Sequence, residues 1–307
     1  MSGAPRRPFP VFDVLAGALA AAGVVAVAFV GRIYGPPPVP FFPRTPDEFK
    51  TGAPLDADEL TARTALRALP ENIEAMVDLG IVLYQRGPDR YLNKDAALDA
   101  PWDMGALQLL ERARHLGSLD ERTFFYLASM YEAKGLPTDA ADNYERHLRL
   151  HTDDVETRLR LGNLYYRLED FDKSAAAYRG VLASRPGDPL VSYNLALVLR
   201  DKKSWTDGLE ALRPFTQNAR PLPSGGHKLL GDLWRGAGNP TAAVENYGKE
   251  MEASGESVEL LAALAQARED LKENDAAIAA WERVLVLDKD HRDARSRLRR
   301  LKKPSRR

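Results

Sequence analysis

From about residue 56 onward, apolar positions recur at three- and four-residue steps in stretches of ten to fifteen residues. That period is the signature of amphipathic helices. Turn signals separate the stretches, as in Lys134-Gly135-Leu136-Pro137 and Gly236-Ala237-Gly238-Asn239-Pro240. Alternating apolar and polar runs, which would mark strands, are not evident. Upstream the pattern changes. Val14 to Gly31 reads VLAGALAAAGVVAVAFVG, without a charge and without a polar face. As a helix it would rise about 27 Å, close to the roughly 30 Å of a bilayer core. Gly35-Pro36-Pro37-Pro38-Val39-Pro40-Phe41-Phe42-Pro43 follows, and its prolines favour an extended, stiff spacer.

The helical stretches repeat. Leu161-Gly162, Tyr165, Ser174, Tyr178, Val181 and Pro186 form one set. Leu127-Ala128, Tyr131, Ala140 and Tyr144 occupy the same slots 34 residues earlier, and Leu195-Ala196, Leu199, Gly208 and Leu212 occupy them 34 later. Leu230-Gly231, Trp234, Ala243 and Tyr247 follow after 35, and Leu264-Ala265, Arg268, Ala277 and Trp281 after 34 more. The spacing L-G-x2-Y…A-x3-F-x2-A…P resembles the tetratricopeptide (TPR) family. The resemblance implies an all-α, right-handed superhelical solenoid. Each unit is a helical hairpin too small to bury its own apolar face, so stacking supplies the core. The small residue of a first helix admits the large residue of the second.

This register predicts about six hairpins within 55–307. They fall near 73–120, 121–154, 155–188, 189–223, 224–257 and 258–290, with a capping helix at 291–301 and a basic tail. Asp56 to Leu69 reads as a lone N-terminal capping helix. In the first hairpin Leu79-Gly80 and Ala106 stand 26 residues apart, where Gly162 and Ser174 stand 12 apart. About fourteen residues are therefore inserted, near 87–103. Insertions in repeats map to exposed loops, so a binding loop and a neutral decoration both fit. Ahead of the solenoid come an N-terminal flank (1–13), a transmembrane helix (14–34) and a Pro-rich linker (35–54).

The span carries Gly17, Ala20, Ala21, Gly23 and Ala28, small residues that allow close packing on another transmembrane helix; a plain anchor is the alternative. Ala26-Val27-Ala28 fits a signal-peptidase site, but Phe29 and Val30 continue the apolar run past it. Arg6 and Arg7 before the span nearly balance Arg32, Arg44 and Lys50 after it. The N-terminal ammonium and the acids Asp47 and Glu48 tilt the orientation toward N-terminus inside, which predicts a solenoid on the outer, periplasmic side. An Ala/Arg-rich composition with this simple topology suggests a bacterial source.

Charge adds little for the whole chain: 43 basic and 44 acidic side chains leave a formal net charge of −1. The balance is uneven only in the last sixteen residues, which are strongly basic; they suit either a solubilising cap or contact with an anionic surface. Cysteine is absent, so disulfides, thiolate metal sites and cysteine nucleophiles do not arise.

The resemblance also implies that first helices line a concave groove. Its groove-facing slots here hold the aromatics Tyr84, Phe125, Tyr166 and Tyr193. The polar ones are Glu132, Asn163, Asn194 and Arg200, then Lys228, Asp232 and Arg235. A mixed aromatic and charged groove suits an extended protein segment. One family variant grips a terminal carboxylate with lysines and asparagines. Asn163 and Asn194 match its asparagine spacing, but Leu159 and Gly225 stand where lysines are expected. His147 and His151 could form half a metal site, yet read better as two surface histidines. No nucleophile elbow, HExxH or dinucleotide fingerprint occurs. The expectation is a non-catalytic protein without metal or cofactor. It would be a membrane-anchored scaffold or assembly factor binding a protein partner, without specific nucleic acid. Alternatives are a permanent accessory subunit of a membrane complex and an adaptor for chaperone or secretion machinery.

Overall fold

The computed structural model describes residues 53–86, 104–217 and 221–303, all within one compact unit, Pro43–Arg307. Among them are fourteen α-helices and no strand. A lone helix α1 (Ala53–Ala68) precedes six hairpins. These are α2 (Ile73–Gln85) with α3 (Ala106–His115), α4 (Glu121–Ala133) with α5 (Pro137–Leu150), and α6 (Val155–Arg167) with α7 (Phe171–Ser184). Then come α8 (Pro189–Asp201) with α9 (Trp205–Gln217), α10 (Gly226–Gly236) with α11 (Pro240–Ser254), and α12 (Val258–Asp270) with α13 (Asn274–Leu287). A last helix, α14 (Arg292–Leu301), packs on α13. The described residues form an all-helical, TPR-like solenoid.

α1 begins at Ala53, two residues ahead of the solenoid start expected at 55, because Pro54 is compatible with a first helical turn. No helix of the described residues is long and apolar enough to cross a membrane. The span at 14–34 with Gly17, Ala20, Ala21, Gly23 and Ala28, its flank, the proline-rich segment to residue 52, and the insertion at 87–103 lie outside the described residues.

Local chemistry sets the helix ends. Asp120, Asp154, Asp170 and Asp188 each accept a backbone N–H of the first turn that follows, supplying an N-cap. First helices end in a shared way. Residues 135, 169, 203, 238 and 272 all have positive φ, and the next residue's N–H reaches back five residues, as in Asp170 N to Tyr165 O and Ser204 N to Leu199 O. This is the Schellman stop. Glycine fills it at 135 and 238, whereas Glu169, Lys203 and Lys272 hold φ between 58° and 64°.

The small–large slots do what the packing argument requires. A Cβ on Gly80 would stand 2.8 Å from Leu110 Cγ, and one on Gly162 would stand 3.0 Å from Tyr178 Cε1. Gly231 is notched in the same way by Tyr247. These second-helix residues form the centre of each unit: Tyr144, Tyr247 and Trp281 are fully buried and Tyr178 almost so.

Candidate functional site

First helices touch one another across repeats: α2 meets α4, α8 meets α10, and α10 meets α12. First helices thus share one layer of the solenoid, and their polar residues meet there. Each buried second-helix aromatic sends its polar atom through its own hairpin to this layer. Tyr144 Oη donates to Glu132 Oε2 (3.2 Å), Tyr178 Oη to Asn163 Oδ1, Tyr247 Oη to Asp232 Oδ1 (2.8 Å), and Trp281 Nε1 to Glu269 Oε1 (2.7 Å). A buried phenol or indole needs such a partner.

A second set of bonds joins polar residues of this layer, some across 35 residues to the neighbouring repeat and others within a repeat. Arg167 pairs with Glu132. Tyr166 Oη donates to Asp201 Oδ2 at 2.6 Å. Arg200 Nε donates to Asp201 Oδ1 at 2.8 Å, and its Nη1 lies 3.5 Å from Asp232 Oδ2. Lys228 Nζ donates to the same Asp232 oxygen at 3.0 Å. Arg235 Nε reaches Asp270 Oδ2 at 2.6 Å, and its Nη1 reaches Gln266 Oε1 at 2.8 Å. Burial opposes the charge of the Arg200 guanidinium, but the bond to Asp201 and the fields of Asp201 and Asp232 outweigh it and raise its pKa.

Glu132, Asn163, Tyr166, Arg200, Lys228, Asp232 and Arg235 all take part in this ladder of bonds, in which Tyr166, Arg200, Lys228 and Asp232 form one connected group through Asp201. Tyr84 and Phe125 both pack on Tyr126, with ring centroids 5.3 and 5.4 Å away, in the first two hairpins. Tyr193 is half-buried, and its hydroxyl lies beside Gly225. Asn194 departs from the expectation. It is only 5% exposed, so its side chain faces the interior of the repeat, not the groove, and its Nδ2 has no hydrogen-bond partner. His147 departs too. It is 3% exposed because its slot, three residues after Tyr144, is an interior one that holds Val181 and Val284 in later repeats. Nδ1 faces Glu121 O at 3.0 Å and Nε2 faces Asp154 Oδ2 at 2.8 Å. His151 contacts Glu121 and Asp153.

The register did not flag Asp201, Lys203, Trp205, Gln266 or Asp270. Asp201 stands 35 residues after Tyr166, and Asp270 stands 35 after Arg235; that inter-repeat spacing was the available signal. Trp205 lies flat against Gly236, where any side chain would collide with the indole. Between α8, α10 and α12 these residues enclose an open cavity of ≈ 550 Å³, lined by Arg200, Lys203, Trp205 and Arg235 together with Asp201, Asp232 and Asp270.

Comparison with known proteins agrees with this architecture. Residues 159–221 match the family model of the tetratricopeptide repeat. The matched segment falls in the middle hairpins, and the described residues as a whole form a TPR-like solenoid. Over 183 residues the chain is 27% identical to the peroxisomal targeting signal receptor of Eremothecium gossypii. That match covers 53% of this chain and 32% of the receptor, so it spans about a third of the relative's length. Among solved structures, MamA (residues 41 to the end) from Desulfovibrio magneticus RS-1 aligns at 19% identity with a TM-score of 0.51, covering 57% of this chain and 98% of that one. YrrB, described as a TPR protein with an unusual peptide-binding site, aligns at 15% identity with a TM-score of 0.50, covering 61% and 96%. At these identities the structural likeness speaks for the TPR fold alone.

The internal tyrosines of this helical array predict its alkaline limit. Burial raises the pKa of Tyr144, Tyr178 and Tyr247, with Glu132 reinforcing the first and Asp232 the last. The folded pKa lies above the unfolded value of about 10. Their contribution is therefore complete below that pH and is lost as pH climbs beyond it. Near-ultraviolet tyrosinate absorbance is expected to lag behind free tyrosine and to rise together with loss of far-ultraviolet helicity. Full ionisation with the helices intact would refute the assignment.

Proposed function

We propose that this chain is a non-catalytic, membrane-anchored scaffold or assembly factor whose inner face holds an extended segment of a partner protein. The observation that carries the reading is the ladder itself. It fixes polar side chains at points along the inner layer between Glu132 and Asp270, and an open cavity lies there beside an aromatic platform, Trp205. A preformed concave site whose convergent groups are mostly charged, with one aromatic wall, suits a polar ligand segment. One sequence relative, a peroxisomal targeting signal receptor, supports a protein-segment ligand. The uncharged run Val14–Gly31 supplies the anchor, which would raise the local concentration of groove near a membrane partner. The flanking charges favour the outer face. A second reading, a permanent accessory subunit, is favoured by Gly17, Ala20, Ala21, Gly23 and Ala28 in that run.

Purification of the full chain in mild detergent, with mass spectrometry of whatever accompanies it, separates the two. Clients in low ratio that crosslink to a protein carrying a photoreactive residue at position 193, and that no longer co-purify with a separate Tyr166→Ala, Tyr193→Ala double variant, are the expected result. Membrane proteins in fixed ratio that survive both substitutions would make the chain a structural subunit.

A further inference from the structure

We propose that the cavity between α8, α10 and α12 is a carboxylate-recognition subsite, so that the segment held in the groove is acidic. The inference rests on the groove reading and adds the chemistry of the ligand. Three cations, Arg200, Lys203 and Arg235, face three carboxylates across the cavity. Equal numbers conceal an unequal supply of hydrogen bonds. Every carboxylate is already served from within the chain. Asp201 accepts from Tyr166 Oη and Arg200 Nε. Asp232 accepts from Tyr247 Oη and Lys228 Nζ, and Asp270 accepts from Arg235 Nε.

The donors are not exhausted. Arg200 spends Nε and Nη1, and Arg235 spends Nε and Nη1, which leaves the Nη2 end of each guanidinium. Lys203 is exposed and forms no ion pair among the described residues. Guanidinium and ammonium groups can only donate. The missing partner is therefore an acceptor, and charge-assisted pairing favours an anionic one. The three resident carboxylates limit how much negative charge the cavity accepts. A single carboxylate fits the surplus; a polyphosphate would be repelled by Asp201, Asp232 and Asp270. Trp205, laid flat on the Gly236 notch, offers an apolar surface to the side chain next to that carboxylate.

Side-chain and C-terminal carboxylates share this chemistry, and the probes distinguish them. The full chain in mild detergent is titrated with a fluorescein-labelled peptide of alternating Glu and Leu. Its Gln counterpart, the same pair with amidated C-termini, and ATP complete the set. The Glu peptide is expected to bind more tightly than the Gln peptide and to weaken as salt rises. Insensitivity of the Glu peptide to amidation assigns the side chain alone, and partial weakening on amidation adds the terminus; the preference for Glu over Gln is required in either case. Arg235→Gln is expected to weaken the Glu peptide about ten-fold. Lys203→Asn, which suits the left-handed backbone there and breaks no ion pair, is expected to weaken it about three-fold. Equal binding of Glu and Gln peptides, indifference to Lys203→Asn in a chain with unchanged helicity, or tighter binding of ATP than of peptide overturns the proposal. If Gln peptides bind equally and still crosslink at Tyr193, the groove reading stands and only the carboxylate falls. If no peptide binds while partners crosslink elsewhere, both fall.

Discussion

Asp154→Ala is expected to cost about 3–5 kcal/mol, far more than the loss of an ordinary helix cap. Asp154 is the N-cap of α6, with Oδ1 accepting the Thr157 N–H at 3.0 Å. Its Oδ2 accepts from Thr157 Oγ1 at 2.6 Å and from His147 Nε2 at 2.8 Å. His147 stands on α5, and its other nitrogen faces the carbonyl of Glu121 at the start of α4. Both of its acceptors lack hydrogens. A neutral imidazole serves one of them, and the imidazolium serves both. One carboxylate thus ties the start of α4, the end of α5 and the start of α6 into a joint between two repeats. Both side chains of the pair are more than nine-tenths buried. Removing the acid leaves a buried donor, and a charge when the ring is protonated, with nothing opposite. Asp154→Asn, which keeps the capping oxygen, is expected to recover about 1 kcal/mol. Chemical denaturation followed by far-ultraviolet circular dichroism measures both. In a solenoid whose units contact only neighbours, the alanine variant should also split the transition, because the cut falls between hairpins. A single transition displaced by less than about 1 kcal/mol would show that the pair is not a joint.

The same joint shows which features were legible in the chain and which were not. Hairpin number and packing could be read because each slot carries a size rule that recurs: Ala128, Gly162, Ala196, Gly231 and Ala265 against Tyr144, Tyr178, Leu212, Tyr247 and Trp281. His147 was misread because histidine is polar and its neighbours Arg146 and Arg149 are charged. Its slot is interior, as Val181, Phe215 and Val284 show at the same place. Register would have been a better guide than polarity. The first-helix polar residues of the inner layer were legible from register as well, but their obligations were not. Glu132, Asn163 and Asp232 receive buried tyrosine hydroxyls and are partly committed to the fold. Asp201 and Asp270 escaped notice because their bonds cross from one repeat to the next, a relation that a motif confined to one repeat does not contain. The stops at Glu169, Lys203 and Lys272 were equally hidden, since no glycine marks their left-handed backbone.

Trp281→Ala is expected to cost about 3–5 kcal/mol, and the damage should be confined to the C-terminal end. Trp281 is fully buried among Leu261, Ala265, Val284, Ala294 and Leu298, residues of α12, α13 and α14. Its loss leaves a cavity at the place where the last hairpin meets the capping helix. Its second role is polar. The indole N–H holds Glu269, and Glu269 in turn pairs with Arg297 and Arg300 of α14. Those two cations anchor a helix of which only Ala294 and Leu298 are buried. Trp281→Phe retains most of the apolar volume and removes the N–H, so it should cost about 1–2 kcal/mol and report the polar part separately. Hydrogen exchange with limited proteolysis provides the readout. In the alanine variant α12, α13 and α14 should lose protection while α4 to α7 keep theirs, because coupling along the solenoid passes only from neighbour to neighbour. A uniform loss of protection from α2 to α14 would mean that the array folds as one cooperative body. An unchanged α14 would mean that Glu269 holds its arginines without help from the indole. Confinement to the C-terminal end leaves the cavity beside Trp205 only one repeat away, so peptide binding to the Trp281→Ala protein should weaken in step with protection in α12, through Asp270 and its bond to Arg235.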